Sequence, residues 1–157
     1  MADSVTQHNI AALLSVRIAA ALVAIVAGAG GDNGAVTGLS LDRVALKLPR
    51  SAALTIAFSA TLAANATLAL KGVKVQHRDE GGGWSDFATF ADPGVVATGP
   101  VGGGTVHGQV TVPVDLDGAR QHIRLVFTPD LSAANTDTVT IGAVAALGGF
   151  DRLPAAA

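Results

Sequence analysis

Short apolar segments separated by turn residues recur along this sequence, and they restrict its fold more than any other feature. Ala52–Ser59 and Thr105–Val114 alternate larger apolar residues with small or polar ones, as strands with one buried face do. His122–Thr128 repeats the alternation, and Leu68–His77 repeats it with a break at Gly72 that predicts a β-bulge. The pattern predicts an all-β fold, a jelly-roll-like β-sandwich of about eight or nine strands.

The kinds of polar residue in the chain also disfavour helices. Glu80 is the only glutamate, and lysine occurs only at Lys47, Lys71 and Lys74. Exposed helix faces are usually built from glutamate, lysine and glutamine, whereas the 19 glycines of this chain suit turns between strands. Alanine is abundant but is interleaved with valine, threonine and glycine, so it does not reverse the prediction.

The chain length of 157 residues corresponds to a single domain. We expect residues 1–17 to form an N-terminal arm or a short helix, residues 18–154 to form the β-sandwich, and residues 155–157 to be a C-terminal tail. The spacing of apolar residues in the first segment fits both a helix and an extended arm, so the sequence leaves that choice open.

The most apolar run, residues 18–27, requires a test for membrane and export signals. It is shorter than the ~20 residues that a membrane-spanning helix needs. Arg17 before the run and Ala27-Gly28-Ala29 after it imitate a signal peptide, but the preceding segment is long and carries Asp3 without a cluster of positive charge. A buried strand is the favoured interpretation, with a helix or an export signal as alternatives. We therefore expect no membrane contact.

Charge and cysteine content exclude several classes of function. The chain has no cysteine, which excludes thiolate metal sites and cysteine nucleophiles. Its net charge is -2 and its basic residues are scattered, which argues against a nucleic-acid partner. Apolar residues make up 50% of the chain and charged residues only 14%. A monomer of this size covers so much apolar surface poorly, so we expect a subunit that contacts copies of itself or another protein.

No group of residues has the spacing of a catalytic, cofactor or metal site. The histidines lie more than five residues apart, which predicts no metal site: His8, His77, His107 and His122. Asp115 and Asp117 offer too few oxygen ligands for calcium and are typical of a turn. The glycines of residues 28–34 are followed by a strand pattern, whereas a dinucleotide loop requires a helix there. We expect no enzyme activity, no catalytic residue and no cofactor.

A resemblance to a known family rests on one hairpin-like segment. Val73–Phe87, with the sequence VKVQHRDEGGGWSDF, resembles the VQHSDDGxxWxD hairpin of small structural proteins of tailed-phage virions. Residues 122–132 and 147–154 are similar to the end of the same proteins, so the matching segments lie within residues 36–154. Arg78 and Glu80 depart from the pattern, which has serine and aspartate there.

This resemblance implies a capsid-associated β-sandwich that cements or decorates a phage head. Its implied partners are the major capsid protein and the chain itself, as a homodimer or homotrimer. The implied location is the capsid surface of the virion, after synthesis in the host cytoplasm. Since such proteins carry no catalytic residues, none is transferred to this chain. A tail or head–tail structural protein is an alternative.

The same hairpin pattern is also similar to discoidin-like carbohydrate-binding sandwiches. In that alternative His77 and Trp84 are the expected sugar contacts, with the single tryptophan stacking on a sugar ring. The aromatic fraction of 4% disfavours it, because sugar sites generally use several aromatic side chains. A residue that covers one end of the sandwich is the simpler interpretation of Trp84.

Overall fold

The computed structural model describes residues 13–132 and 136–150, which form two antiparallel β-sheets packed face to face. Sheet A has the strand order β1-β10-β4-β8, and in sheet B β9 and β5 lie at the centre with short strands on either side. The strands are β1 Ser15–Val26, β2 Val36–Thr37, β3 Leu41–Asp42, β4 Ser51–Leu62, β5 Thr67–Arg78, β6 Ser85–Thr89, β7 Gly94–Thr98, β8 Gly104–Asp115, β9 His122–Leu131 and β10 Thr138–Gly148. The described residues contain no regular helix, so the predicted all-β class is confirmed.

Strand pairing identifies the sandwich as a jelly roll. β1 pairs with β10, β2 and β3 with β9, β4 with β8, and β5 with β6 and β7, all antiparallel. The chain is thus one long hairpin with its tip between β5 and β6. The β4–β10 and β5–β9 pairs then close it into two four-position sheets, which is the jelly-roll arrangement. Ten strands fill eight positions, because β2 and β3 share the position beside β9, and β6 and β7 share the position beside β5.

The divided position at residues 36–42 corrects one sequence expectation. The partial alternation of apolar residues over 36–48, with Leu39, Leu41 and Val44, predicts a strand there, but only β2 and β3 pair with β9. The Asp42 carboxylate accepts hydrogen bonds from the backbone N–H groups of Val44 (2.9 Å) and Ala45 (3.3 Å), which turns the chain instead of extending it. Lys47 and Leu48 then have positive φ angles of 66° and 53°, which a strand does not allow.

The β9 strand corrects a second expectation. The proline and polar residues of 129–135 predict a loop after the alternating run His122–Thr128, but β9 continues to Leu131. Pro129 lies opposite Leu70 of β5, and its carbonyl oxygen accepts a hydrogen bond from Asn33 at 3.0 Å. The missing N–H of proline therefore interrupts the ladder without ending the strand.

The core lies between the sheets and is built from the inward side chains that the alternation predicted. Ile56 of β4, Ile141 of β10 and Phe127 of β9 are fully buried, and each contributes roughly 1.5–3 kcal/mol of apolar burial. The predicted bulge in β5 is confirmed, because the register with β9 shifts between Lys71 and Lys74, and Gly72 has φ +55°. The bulge moves the inward positions of β5 from even to odd numbers and keeps both halves of the strand in the core.

The structure describes only part of the expected N-terminal arm and none of the expected C-terminal tail. Residues 1–12 and 151–157 lie outside the described residues, and so does most of the expected arm or helix and all of the expected tail. β1 begins at Ser15, three residues before the expected start of the sandwich, because Ser15–Arg17 pair with β10. The apolar run of residues 18–27 falls almost entirely in β1, which confirms the expected strand. The expectation that this strand is buried is wrong, because β1 lies at the edge of sheet A and only Ala19, Ala20, Ile25 and Ala27 of the run are buried. Among the described residues, no helix has the length and apolarity to cross a membrane.

Candidate interaction surfaces

The outer faces of the two sheets differ in charge. The four strands of sheet A contain two charged residues, Arg17 and Asp115. The strands of sheet B contain seven: Asp42, Lys71, Lys74, Arg78, Asp86, Arg124 and Asp130. Because both sheets share one core, this difference concerns only the surfaces that they offer to solvent or to other molecules.

Sheet A carries an exposed apolar face beside its first strand. Four large side chains of β1 and β10, together with Leu39 from the segment between β2 and β3, are between 42% and 75% exposed, with Leu22 the most exposed. All of them except Val16 line an open groove of about 470 Å³, which Gly142 and Ala57 also line. Monomeric proteins rarely expose so many large apolar side chains together, so such a patch marks an interaction site. We call this surface the apolar face, formed by Val16, Ile18, Leu22, Leu39, Ala57 and Val144.

The groove exists because Gly142 has no side chain. A Cβ atom on Gly142 would lie 3.0 Å from the Cδ2 atom of Leu22, so Leu22 rests directly on the backbone of β10. Ile18 lies opposite Val144 in the β1–β10 register. The apolar face is therefore held in shape by strand pairing and not by flexible loops.

The edge of sheet A next to the apolar face is irregular. β1 is the edge strand, and its register with β10 shifts twice, between Ile18 and Ala20 and between Ala20 and Val23. The carbonyl oxygen of Ala19 accepts a hydrogen bond from the backbone N–H of Leu39 at 2.7 Å. Bulges and a covering loop are features that hinder an edge strand from pairing with another chain.

The opposite half of sheet A is polar and has one charged residue in its strands, Asp115 at the end of β8. Thr55 and Thr111 share a hydrogen bond between their hydroxyl groups at 2.9 Å, and Thr61 and Thr105 share one at 3.0 Å. These pairs link β4 to β8 across the outer face. They form a neutral hydroxyl border next to the apolar face.

Sheet B carries a network of hydrogen-bonded polar side chains on its outer face. Arg124 donates from Nε (2.9 Å) and Nη2 (2.8 Å) to the side-chain oxygen of Gln76, whose amide nitrogen donates to Asp86 at 2.7 Å. Lys74 donates to the other carboxylate oxygen of Asp86 at 3.0 Å. The hydrogen bonds from Gln76 and then Lys74 lower the pKa of Asp86. We call this surface the polar face, formed by Lys74, Gln76, Arg78, Trp84, Asp86 and Arg124.

Trp84 is half-buried at the centre of the polar face. The guanidinium carbons of Arg124 and Arg78 lie 4.2 Å and 4.8 Å from its ring centroid, within the range of cation–π contacts. Desolvation lowers the pKa of Arg124, and the neighbouring charge of Arg78 lowers it further. The indole ring therefore already stacks on two side chains of its own sheet.

His77 does not join Trp84 in a shared site. Its ring centroid lies 5.0 Å from that of Phe87, and its Nδ1 accepts a hydrogen bond from the backbone N–H of Arg120 at 3.3 Å. Burial lowers the pKa of His77, and the charge of Arg120 adds to the effect. Alternation along β5 puts His77 on the core side and Arg78, which contacts Trp84, on the outer side. The structure thus separates the two residues of the carbohydrate-binding alternative.

One side-chain cluster has no signal in the sequence. Nε2 of the buried His122 lies 2.5 Å from the Glu80 carboxylate, and its Nδ1 lies 3.4 Å from the Ser40 hydroxyl. Glu80 and Ser40 are 42 and 82 residues away from His122, so only the fold brings them together. The serine contact is longer than the ~3.2 Å reach expected for an activated nucleophile, and the Glu80 side chain is 74% exposed. The cluster instead ties the tip of the β5–β6 hairpin to β9.

Two ionisable residues are buried at the ends of the sandwich. Arg43 donates to the backbone oxygens of Ala119, Arg120 (3.3 Å) and Pro49 (3.1 Å), and desolvation lowers its pKa. Asp137 accepts a hydrogen bond from the backbone N–H of Ala63 at 2.8 Å. Both connect loops to strands. In the described part of the chain, no three histidine, aspartate or glutamate residues are grouped so as to hold a metal ion.

Comparisons with known proteins find similar structures but no related sequences. No protein-family model matches the chain, and no curated protein sequence matches it. A structure of the infectious bursal disease virus Gx strain is 15% identical, with a TM-score of 0.47, covering 89% of this chain and 34% of that one. The PBSX exported protein XepA is 14% identical, with a TM-score of 0.43, covering 91% of this chain and 40% of that one.

A third similar structure is also viral. The VP2 subviral particle of infectious bursal disease virus is 14% identical, with a TM-score of 0.42, covering 85% of this chain and 32% of that one. The chain thus spans well under half the length of each of these proteins. Since the TM-scores are below 0.5, the jelly-roll assignment depends on the strand pairing of this chain and not on these likenesses.

Proposed function

We propose that this chain is a virion structural protein that cements or decorates a phage capsid by bridging neighbouring major capsid subunits. The observation that carries the proposal is the pair of chemically different outer faces on one jelly roll. A bridging protein must hold at least two neighbours at once, and this requires two contact surfaces at fixed separation. The proposed partners are the major capsid protein and further copies of the chain, with no nucleic acid and no membrane.

The β5–β6 hairpin supports the proposal because it is the segment that resembles phage structural proteins. Within that segment Gln76 bonds to Asp86, and Trp84 stacks on Arg78. Gln76 and Asp86, which the resembled pattern shares, therefore hold the hairpin, and Trp84 of the pattern stacks on Arg78, where the pattern has serine. The hairpin tip, Asp79–Gly83, is exposed, and Glu80 and Asp79 anchor it to His122 and Arg120.

The proposed mechanism is mechanical and involves no catalytic step. The two sheets pack through a continuous apolar core, so a force on one outer face is transmitted to the other with little deformation. We assign the polar face and the hairpin tip to the capsid shell, because specific contacts to a shell require hydrogen-bonding groups in a fixed arrangement. A stable contact of this kind buries at least ~1,000 Å² in total.

The test is binding to empty shells assembled from the major capsid protein of the same phage. We expect the purified chain to sediment with the shells, to saturate at a ratio set by shell symmetry, and to raise the temperature at which the shells break. The triple variant Asp79→Ala, Glu80→Ala, Arg120→Ala should lose binding, because it removes two charged groups at the hairpin tip and Arg120, which pairs with Asp79 at 3.6 Å. A matched control, Val101→Lys, changes a fully exposed loop residue and should bind normally. Absence of sedimentation with shells would reject the proposal.

A further inference from the structure

We propose that two copies of this chain associate through their apolar faces, packing the outer surface of sheet A of one copy against the same surface of the other. The contact is a twofold, isologous one in which each residue of the apolar face meets the apolar face of the partner copy. The inference depends only on the surface of sheet A. It stands whether or not the chain binds a capsid.

The apolar face supplies more than half of the area that each partner of a stable dimer buries. Its five large side chains are 42–75% exposed. They present on the order of 500 Å² of apolar surface, near the upper end of the largest patches on ordinary monomers. A stable interface buries roughly 800 Å² on each partner, with an apolar centre and a polar rim. The neutral hydroxyl groups of Thr55 and Thr111 lie beside the apolar centre and provide such a rim.

The absence of charge on the apolar face makes it complementary to itself. A charged partner surface would lose its hydration there and find no opposite charge to replace it. A second copy presents the same neutral, apolar surface and meets no such penalty. In the twofold arrangement the protruding Leu22 of one copy fills the groove between Ile18 and Val144 of the other.

The irregular edge at β1 favours face packing over edge pairing beside the apolar face. The two register shifts in β1 and the hydrogen bond from Leu39 to Ala19 obstruct a new strand at this edge. The outer face beside it can still stack on another sheet at ~10 Å, as sheets do inside a sandwich. We therefore assign the partner copy to the apolar face and not to the β1 edge.

Sedimentation equilibrium of the full chain over a wide concentration range tests the proposal. We expect the wild type to be a dimer in the micromolar range. Leu22→Lys should raise the dissociation constant by at least ~100-fold, because each twofold contact then contains two buried charges. Val101→Lys serves as the matched control, since Val101 is 99% exposed in a loop outside the apolar face, and it should leave the dimer unchanged.

Folding of each variant is monitored through the fluorescence of Trp84, the only tryptophan, which lies on the opposite sheet. If Leu22→Lys does not fold, the neutral variant Leu22→Asn replaces it and should still weaken the dimer by at least ~10-fold. A wild type that is monomeric at all concentrations would overturn the proposal, and so would a dimer unaffected by either Leu22 variant. A chain without residues 1–12 that dimerises when the full chain does not would show that this segment covers the apolar face instead.

Discussion

The two outer faces of the sandwich show how one core can carry surfaces of opposite chemistry. On sheet A the outward side chains are short, neutral or apolar, and few of them bond to each other. On sheet B the outward side chains form a connected set from Lys74 through Asp86 and Gln76 to Arg124. The inward side chains of both sheets are apolar except for His77 near the end of β5. The two sheets therefore differ mainly in their outer faces and not in the core that they share.

Gly38 offers the strongest way to disturb both sheets at once, because the segment between β2 and β3 bonds there to Leu125 of sheet B and, through Leu39, to Ala19 of sheet A. A Cβ atom at Gly38 would lie 2.4 Å from the carbonyl oxygen of Ala19 in sheet A and 2.6 Å from that of Leu125 in sheet B. Gly38→Ala should lower the free energy of unfolding by about 3 kcal/mol, because backbone cannot move aside easily. Urea unfolding measures this, and Gly30→Ala, which meets no atom within 4 Å, is the control. Equal effects of the two variants would contradict the close approach of the Ala19 and Leu125 carbonyl oxygens to Gly38.

Gln76 tests whether the polar face is stabilised by its network. Gln76→Ala removes the acceptor of two hydrogen bonds from Arg124 and the donor to Asp86, and should cost about 1–2 kcal/mol in urea unfolding. Thr55→Val on sheet A removes a single neutral hydroxyl bond and should cost less than about 1 kcal/mol. An equal or larger loss for Thr55→Val would remove the distinction between a connected and an unconnected face.

The variant Trp84→Ala distinguishes a structural role of Trp84 in the polar face from a role in carbohydrate binding. Trp84→Ala removes the aromatic surface under two guanidinium groups and should lower the free energy of unfolding by about 1 kcal/mol. We expect wild type and variant to bind no member of a glycan array. Binding by the wild type that is lost in Trp84→Ala would support the carbohydrate-binding alternative instead.

The smallest expected effect comes from His77 of sheet B, whose protonation makes the free energy of unfolding depend on pH. Since the pKa of His77 is lower in the folded chain than its usual value of 6.5, the unfolded chain binds the proton more readily. This contribution to stability is therefore present above about pH 6.5 and is lost as the pH falls through the folded pKa. His77→Gln should make the decline of the free energy of unfolding below pH 6.5 shallower. A steeper decline of the free energy of unfolding in the variant would contradict a lowered pKa of His77 in the folded chain.

Most strands were predictable from the sequence because their inward residues alternate. β4, β5 and β8 follow the expected segments within a few residues, and the bulge at Gly72 was signalled by a glycine within an alternating run. The turn after Asp42 was missed because its cause is a side chain that bonds to the backbone two and three residues ahead. Whether residues 43–48 turn or extend is decided partly by these local hydrogen bonds. It also depends on whether β9 leaves room for a longer paired strand.

The candidate surfaces were predictable only in kind. Low charge and high apolar content indicated an exposed apolar surface, but they did not locate it on β1 and β10. Trp84 was singled out from the sequence, whereas its stacking on Arg124, 40 positions away, was not. The contact of His122 with Glu80 and Ser40 was likewise invisible, because none of these residues has a neighbour in sequence that marks its role.

The sequence by itself determined that this chain forms strands and buries one side of each, since side-chain alternation and turn residues act over a few positions. The tertiary structure alone decided which strands became neighbours, and hence which outward side chains share a face. Leu22 lies over Gly142 and Arg124 beside Gln76 because β1 pairs with β10 and β9 with β5. Contacts of this kind join distant residues, and their free energy depends on the whole arrangement of the sheets.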